Sequence, residues 1–469
     1  MGDVPVKIRG VALCLVLALV AAGCGSRLSD DELATGAGTG GGGAAPTATD
    51  PVDAGLSEGT EGKMIGSLPV PCSEGEEPPG PTPADTEGVS QDAIEIAVIS
   101  DKAGQVKVPT ASIEESMEAF VAWCNGLGGI NGRTLELTAI DSKLFSHLEA
   151  TKEACNAGVF ALVGSGSVAD NQGAQAMVDC GLVEVPGYTA TAAKGLSENV
   201  VAPIPNPSDS FPTGAGIWIG EQYPDAIVKA GVIAPDLETT NVQVDRLTTA
   251  YESVGFDFIY VKKTGAIQEN YATEVAEMKA EGVEWLTMIT PVSETTKLMK
   301  DMKTQGFEPQ VVDLGQQYYD PELLAEPNSE GALVLVNTVP FEEADDSPAL
   351  QAYLAAYDEV DTDIEPTSLG VQAFSAGLLF ATAARELGDD LTRDGLLEQL
   401  HSIKEWNGGG LHFDTNPGDN VGSDCFMYTE VVDGEFVRRW PEELTSWDCN
   451  PEYSFDLGKD YGGGAKASG

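Results

Sequence analysis

Two successive runs of alternating strand and helix patterns predict an α/β protein of two doubly wound lobes. The first run falls between residues 93 and 185 and the second between 226 and 336. Chain length agrees: of 469 residues, about 370 from Val89 onward have the composition of a folded protein, too many for one simple core.

The run opens with an apolar strand at 93–100, ending at Asp101. Ile113, Met117, Phe120, Val121, Cys124 and Leu127 then recur at helical spacing, and 128–133 forms a turn. A strand at 134–140, a helix at 146–157, a third strand at 160–163, a helix at 172–180 and a fourth strand at 182–185 follow. The alternation restarts with strands at 226–233 and 256–261 around a helix at 240–254. Helices at 271–281 and 294–305 and strands at 285–289, 310–314 and 332–336 complete it. Val371, Phe374, Leu378, Ala381, Ala384 and Leu387 mark one more amphipathic helix, and Asp433-Gly434 centres a hairpin over 426–438.

The flanks read differently. Lys7 and Arg9 precede an apolar stretch too short to span a bilayer, and small residues lead to Cys24. Residues 1–23 therefore read as a lipoprotein signal peptide, with Cys24 as the lipidated residue; an ordinary secretory peptide is the alternative. Residues 24–88, rich in Gly, Ala, Pro and acids, read as a disordered linker with a reach of about 40 Å. The expectation is an exported protein held by lipid at the outer face of the cytoplasmic membrane.

With 75 acidic against 25 basic residues the net charge is −50, which excludes binding to nucleic acid. The acidity reads as a solubility surface rather than a site for a charged partner. Six further cysteines in an exported chain point to disulfides. Cys155 and Cys180 lie on the helices flanking the third strand, Cys425 and Cys449 close the C-terminal segment, and Cys72 and Cys124 remain. No cysteine or histidine spacing suggests a metal.

The stretch Phe160-Ala-Leu-Val-Gly-Ser-Gly-Ser167 carries the first candidate site. A strand running into a Gly/Ser loop and then a helix makes a cup of outward N–H groups and hydroxyls, suited to an anion or polar oxygen. Three readings stand: a ligand cup at Ser165, Gly166 and Ser167; a turn without ligand; and a dinucleotide fingerprint, Gly164-x-Gly166-x-x-Ala169 with Glu184. The last sits on the third strand rather than the first, and its acid lies inside a strand. No cofactor is expected.

Four stretches together resemble a known family: Leu127-Gly-Gly-Ile-Asn-Gly-Arg133, the cup, Gly181-Leu-Val-Glu-Val-Pro-Gly-Tyr-Thr-Ala-Thr191, and the helix around Gln372 to Arg385. From 93 to 439 the chain resembles the type I periplasmic binding proteins, within them the branched-chain amino-acid-binding receptors of ABC importers. The resemblance implies two Rossmann-like lobes joined by a three-crossover hinge. It sets an N-terminal lobe at 89–208 plus 340–424, a C-terminal lobe at 209–339 plus 425–450, and a flexible tail at 451–469.

It also implies a ligand site. A serine aligned with Ser167 holds the ligand carboxylate, and Tyr188, Thr189 and Ala190 form the neighbouring wall. Thr239, Thr240 and Thr290 fall where the family has covering tyrosines. Gln316 and Gln317 stand where its amino-acid binders keep a carboxylate for the ligand ammonium. A neutral amide pairs weakly with a cation, so the ligand is expected to lack an α-ammonium unless Asp101 supplies the charge.

Catalytic signatures are missing from the pattern. His147, His401 and His412 are scattered, and no nucleophile elbow, zinc helix or phosphate loop occurs. The six tryptophans read as core or hinge packing. The expected function is a monomeric solute receptor, not an enzyme, that delivers a small polar ligand to an ABC permease. The ligand classes expected are an amino acid, an amide, a urea-like compound or a short carboxylic acid. Its alternative is a sensing domain that presents the ligand to a membrane signalling partner.

Overall fold

A computed structural model describes residues 51–60, 62–75, 79–80, 86–103, 110, 112–459 and 461–467. The signal segment 1–23, Cys24 and the linker up to residue 50 lie outside the described residues.

Strands β1 (Ala93–Ser100), β2 (Thr134–Asp141), β3 (Ala161–Val163) and β4 (Val183–Val185) form one parallel sheet in the order β2-β1-β3-β4. They alternate with helices α1 (Ser112–Gly126), α2 (His147–Ala157) and α3 (Asn171–Asp179). The second sheet starts with β5 (Ala230–Pro235), α4 (Glu238–Glu252), β6 (Phe258–Thr264) and α5 (Ala272–Glu281). It continues through β7 (Trp285–Met288), α6 (Val292–Gln305), β8 (Val311–Leu314) and β9 (Leu333–Leu335). After α7 (Pro348–Asp358), α8 (Ser368–Leu387) and α9 (Arg393–Ser402), the hairpin β10 (Tyr428–Val432) and β11 (Glu435–Trp440) returns to it. Its order is β6-β5-β7-β8-β9-β10-β11, parallel as far as β9 and antiparallel beyond.

Both sheets thus reverse strand order beside their first strand, which places a crevice at the carboxyl ends. Strands β3, β4, β5 and β7 are buried on both faces because helices cover both, while the edge strands β2 and β6 mix buried and exposed residues. Helix α8 is the spine of the first lobe: Val371, Phe374, Leu378 and Ala381 are fully buried against α1 and the sheet. The chain passes between the two sets of cores three times, between Val201 and Ala215, between Val336 and Val339, and between Leu411 and Phe426.

Three expectations need correction. The segment 226–233 is not one strand; Pro224 starts a short helix, Pro224–Ile227, and the strand begins at Ala230. The linker does not extend to residue 88. Leu56–Gly59, Gly62–Ile65 and Leu68–Pro69 form an antiparallel ribbon, and Ile65, Val70 and Cys72 join the first core. The low-complexity average hid these few apolar residues. Gly66 is required there: its φ is 56°, and a Cβ would strike the Gly409 carbonyl. The tail is also held. Ser454–Asp456 pairs with Ser210–Pro212, and beyond it Ala465 exchanges hydrogen bonds with Ser197 and Glu198 of the first lobe.

The Leu127–Arg133 motif is a structural turn. Gly128, Gly129, Asn131 and Gly132 all have positive φ, and buried Arg133 donates to Gly80, Ser90 and Asp389. Disulfides join Cys72–Cys124, Cys155–Cys180 and Cys425–Cys449, the three pairs expected. The first staples the N-terminal ribbon to α1 across 52 residues of sequence. Replacing both Cys72 and Cys124 by Ala is expected to cost about 2–4 kcal/mol. It should also open residues 51–75 to limited proteolysis while the rest of the chain resists.

Candidate ligand-binding site

A cavity of about 290 Å³ opens between the lobes and runs on into the second one. The first lobe contributes Tyr188, Thr189 and Gln372 to its wall. The first crossover adds a band from Ile204 to Phe211, and α4 adds Gln243, Arg246 and Tyr251. Strand register explains the inner wall. Thr287 pairs with Asp313, Asp313 with Leu333, and Leu335 with Tyr428, so these side chains share one sheet face with Trp285.

Among the described residues, two hydrogen bonds cross the cleft at the cavity. Gln372 donates from Nε2 to Gln316 Oε1 at 2.7 Å, and Gln243 donates to the Ala190 carbonyl at 3.4 Å. Arg246 is 5% exposed and faces Phe211, with Cζ 5.7 Å from the ring centre. Its guanidinium donates to Asn206 Oδ1 at 3.3 Å, to the Pro207 carbonyl at 2.5 Å and to the Ser210 carbonyl at 2.8 Å. Among the described residues no carboxylate pairs with it, and burial holds its pKa below the usual guanidinium value.

Asp313 lies at the inner end, 5% exposed. Tyr428 donates its hydroxyl to Oδ1 at 2.9 Å. Burial pushes the Asp313 pKa up to about 7, against the Tyr428 hydroxyl and the Trp285 indole, which pull it down. The indole N–H is not aligned for a hydrogen bond and has no partner among the described residues. Burial and neighbouring Asp170 push the Tyr188 hydroxyl up to about 12, so it stays a neutral donor.

Of the residues expected from sequence, Tyr188, Thr189, Gln316 and Gln317 line the cavity. Thr189 is 2% exposed and its hydroxyl has no hydrogen-bond partner among the described residues. The cup does not line it, because the protein fills the cup itself. Asp101 accepts from Val168 N at 2.7 Å, from Leu144 N at 3.0 Å, from Ser167 Oγ at 3.1 Å and from the Ser142 hydroxyl. Ser165 Oγ accepts from Ile99 N, and Gly166 N donates to the Ile99 carbonyl. The anion in the cup is therefore Asp101, and neither Asp101 nor Ser165, Gly166 and Ser167 face the cavity.

The other expected residues are also tied up locally. Ala190 N donates to buried Asp170 at 2.7 Å. Thr239 is half-buried on the first turn of α4 and outside the cavity wall. Thr240 donates to the Pro235 carbonyl at 2.5 Å, and Thr290 bonds Thr295 and Tyr318. The Thr240 hydroxyl is captured by nearby backbone and that of Thr290 by neighbouring side-chain hydroxyls.

Sequence reasoning missed Asp313, Arg246, Gln243 and Gln372. An acid inside the apolar run Val311-Val-Asp-Leu314 was a readable signal for the first, since an acid on a buried strand needs a reason. Trp285, read as packing, packs and also lines the cavity.

Ser375 and His412 form a serine–histidine hydrogen bond of 2.9 Å, but they are 0% and 1% exposed. Burial lowers the His412 pKa to about 4, and burial with Lys194 nearby lowers that of His147 to about 3, so both rings are neutral. Among the described residues no cluster of His, Cys, Asp and Glu suits a metal, and no helix is long and apolar enough to cross a membrane.

A family model described as periplasmic binding protein matches residues 93–435. No curated protein sequence matches the chain. A fatty acid ABC transporter substrate-binding protein from Thermomonospora curvata superposes with a TM-score of 0.64 at 18% identity, covering 79% of this chain and 97% of that one. A leucine binding protein from Thermotoga maritima gives 0.62 at 16% identity, over 77% and 99%. A solute binding protein from R. palustris in complex with benzoate gives 0.62 at 14% identity, over 76% and 98%. At these identities the likeness is one of fold.

Asp313 carries a stability prediction. Its folded pKa stands above the unfolded value of about 3.9. Its contribution to stability is therefore complete below pH 4 and is lost as pH rises through 7. Asp313→Asn is expected to raise the melting temperature of ligand-free protein at pH 8, by the equivalent of a few kcal/mol at most. The gain should vanish near pH 4. Equal melting of the two proteins at pH 8 would refute the assignment.

Proposed function

Because the chain belongs to the periplasmic binding protein family, we propose that it is an extracytoplasmic solute receptor that closes on a small ligand and delivers it to an ABC importer. The family places it outside the cytoplasm, and its neighbours in fold are binding proteins. The observation that carries the reading is the cavity walled by both lobes, with the amides of Gln372 and Gln316 joined across it. A ligand there touches both lobes and so stabilises the closed arrangement over an open one.

The ligand is small, since the cavity lies just below the usual range of small-molecule sites, roughly 300–1,000 Å³. Amino acids, amides, urea-like compounds and short carboxylic acids fit that limit. The neighbours in fold include proteins described with leucine, benzoate and fatty acid, which brings apolar and aromatic acids into the panel. Tyr188, Thr189, Gln316 and Gln317 are the polar groups placed to orient it. Membrane contact runs through lipid on Cys24, the receptor is a monomer, and its partner is a permease.

Native mass spectrometry of gently purified protein should show a bound small molecule. A thermal-shift panel then identifies its class: a ligand at 100 times its Kd adds about 2.7 kcal/mol. A panel of amino acids, amides and carboxylates without any shift would refute the receptor reading. For the anchor, Cys24→Ala is expected to move the protein from the detergent phase to the aqueous phase in a phase-separation assay.

A further inference from the structure

We propose that the inner end of the cavity recognises a cation, an ammonium or amidinium group on an apolar stem, through the carboxylate of Asp313. The inference rests on the receptor reading and names the ligand chemistry that it leaves open.

Asp313 is buried, yet among the described residues no lysine, arginine or histidine pairs with it. Its only hydrogen bond from a described group is the one from Tyr428 to Oδ1. No hydrogen bond of normal geometry from a described group reaches the second oxygen, although the Trp285 indole N–H lies close enough to favour the charged form, and Asp313 lines the cavity. A buried carboxylate without a counter-charge costs free energy, which protonation relieves only below about pH 7. The titratable groups facing it are Tyr251 and Tyr428, and both phenols are held well above their ordinary pKa and are neutral. Arg246, on the same cavity wall, turns its two terminal guanidinium nitrogens to the first crossover, while its Nε has no partner among the described residues.

The surroundings suit a cation. Tyr251, Trp285, Phe426 and Tyr428 all line the cavity beside Asp313. The Tyr251 and Trp285 rings stand 6.1 Å apart, and those of Phe426 and Tyr428 stand 6.0 Å apart. Aromatic faces attract cations, more strongly when water is excluded. An acid at the base of an aromatic-walled pocket therefore offers both an ion pair and cation–π contact. A neutral donor, such as a hydroxyl, would fill the hydrogen bond and leave the charge uncompensated. The site lies on β8 itself, deeper than Gln316, where the sequence resemblance locates an acid for the ligand ammonium. The charge deficit noted at Gln316 and Gln317 is met from the sheet.

The test is calorimetric titration with matched pairs: benzylamine and benzyl alcohol, 5-aminopentanoate and 5-hydroxypentanoate, L-leucine and its 2-hydroxy analogue. At least one ammonium compound is expected to bind about tenfold or more tightly than its hydroxyl partner. Asp313→Asn, with its fold checked by near-ultraviolet circular dichroism, should remove that preference. In the wild-type protein, affinity for the ammonium compound should weaken as pH falls below about 7, because the proton on Asp313 must leave. Should the variant not fold, the wild-type pH series decides alone. Binding of hydroxyl or carboxylate compounds without ammonium preference, unchanged in Asp313→Asn, overturns the proposal and leaves the receptor reading standing. No binding by any compound here or in the thermal-shift panel overturns both.

Discussion

The shape of the cleft depends on how one buried guanidinium is satisfied. Arg246 reaches from α4 to three acceptors in the first crossover, Asn206 Oδ1 and the carbonyls of Pro207 and Ser210. A buried cation must be surrounded by ordered oxygens, so the crossover cannot wander at this point. The same segment also pairs with the tail strand Ser454–Asp456. The hinge side of the cavity is thereby held from two directions. Phe211 lies against Arg246, and Tyr251 and Trp285 follow in one aromatic series.

The two lobes share a strand order but use their carboxyl-end crevices differently. In the first lobe, the acid ending β1 turns inward and takes the donors of the β3 loop, so the crevice is closed by Asp101. In the second, the acid of β8 stands on the sheet face that borders the cavity and, among the described residues, accepts a hydrogen bond from Tyr428 alone, with the Trp285 indole nearby. One carboxylate is satisfied by the fold and the other is not. Desolvation without compensation is what pushes Asp313 toward protonation. That difference makes the second lobe the chemically unfinished one.

Much of the fold was legible because periodicity reports burial. Strands β1, β3 and β7 are mainly apolar runs of strand length, and α8 shows a clean helical spacing, so their existence followed from pattern alone. The N-terminal ribbon was not legible. Its order rests on Cys72–Cys124, on the Arg385 bond to the Val70 carbonyl and on a glycine contact with residue 409, all to residues far along the chain. The candidate site divides in the same way. Tyr188-Thr189 and Gln316-Gln317 follow strands and were placed by their loops. Asp101 and the cup lie off the cavity because each has the right chemistry for the other, and the two satisfy each other.

The sequence by itself determined two wound lobes, an even set of cysteines suited to disulfides and the family to which the chain belongs. These depend on local spacing and on short motifs such as Leu127–Arg133, whose glycines and Asn131 take the positive φ that such a turn uses. Only the tertiary structure decided which polar groups are spent and which remain. Asp101 directly follows one apolar strand and Asp313 lies within another, and residue type does not distinguish them. The first is buried among donors and the second beside a cavity, and that distinction is set by side chains that converge from distant parts of the chain.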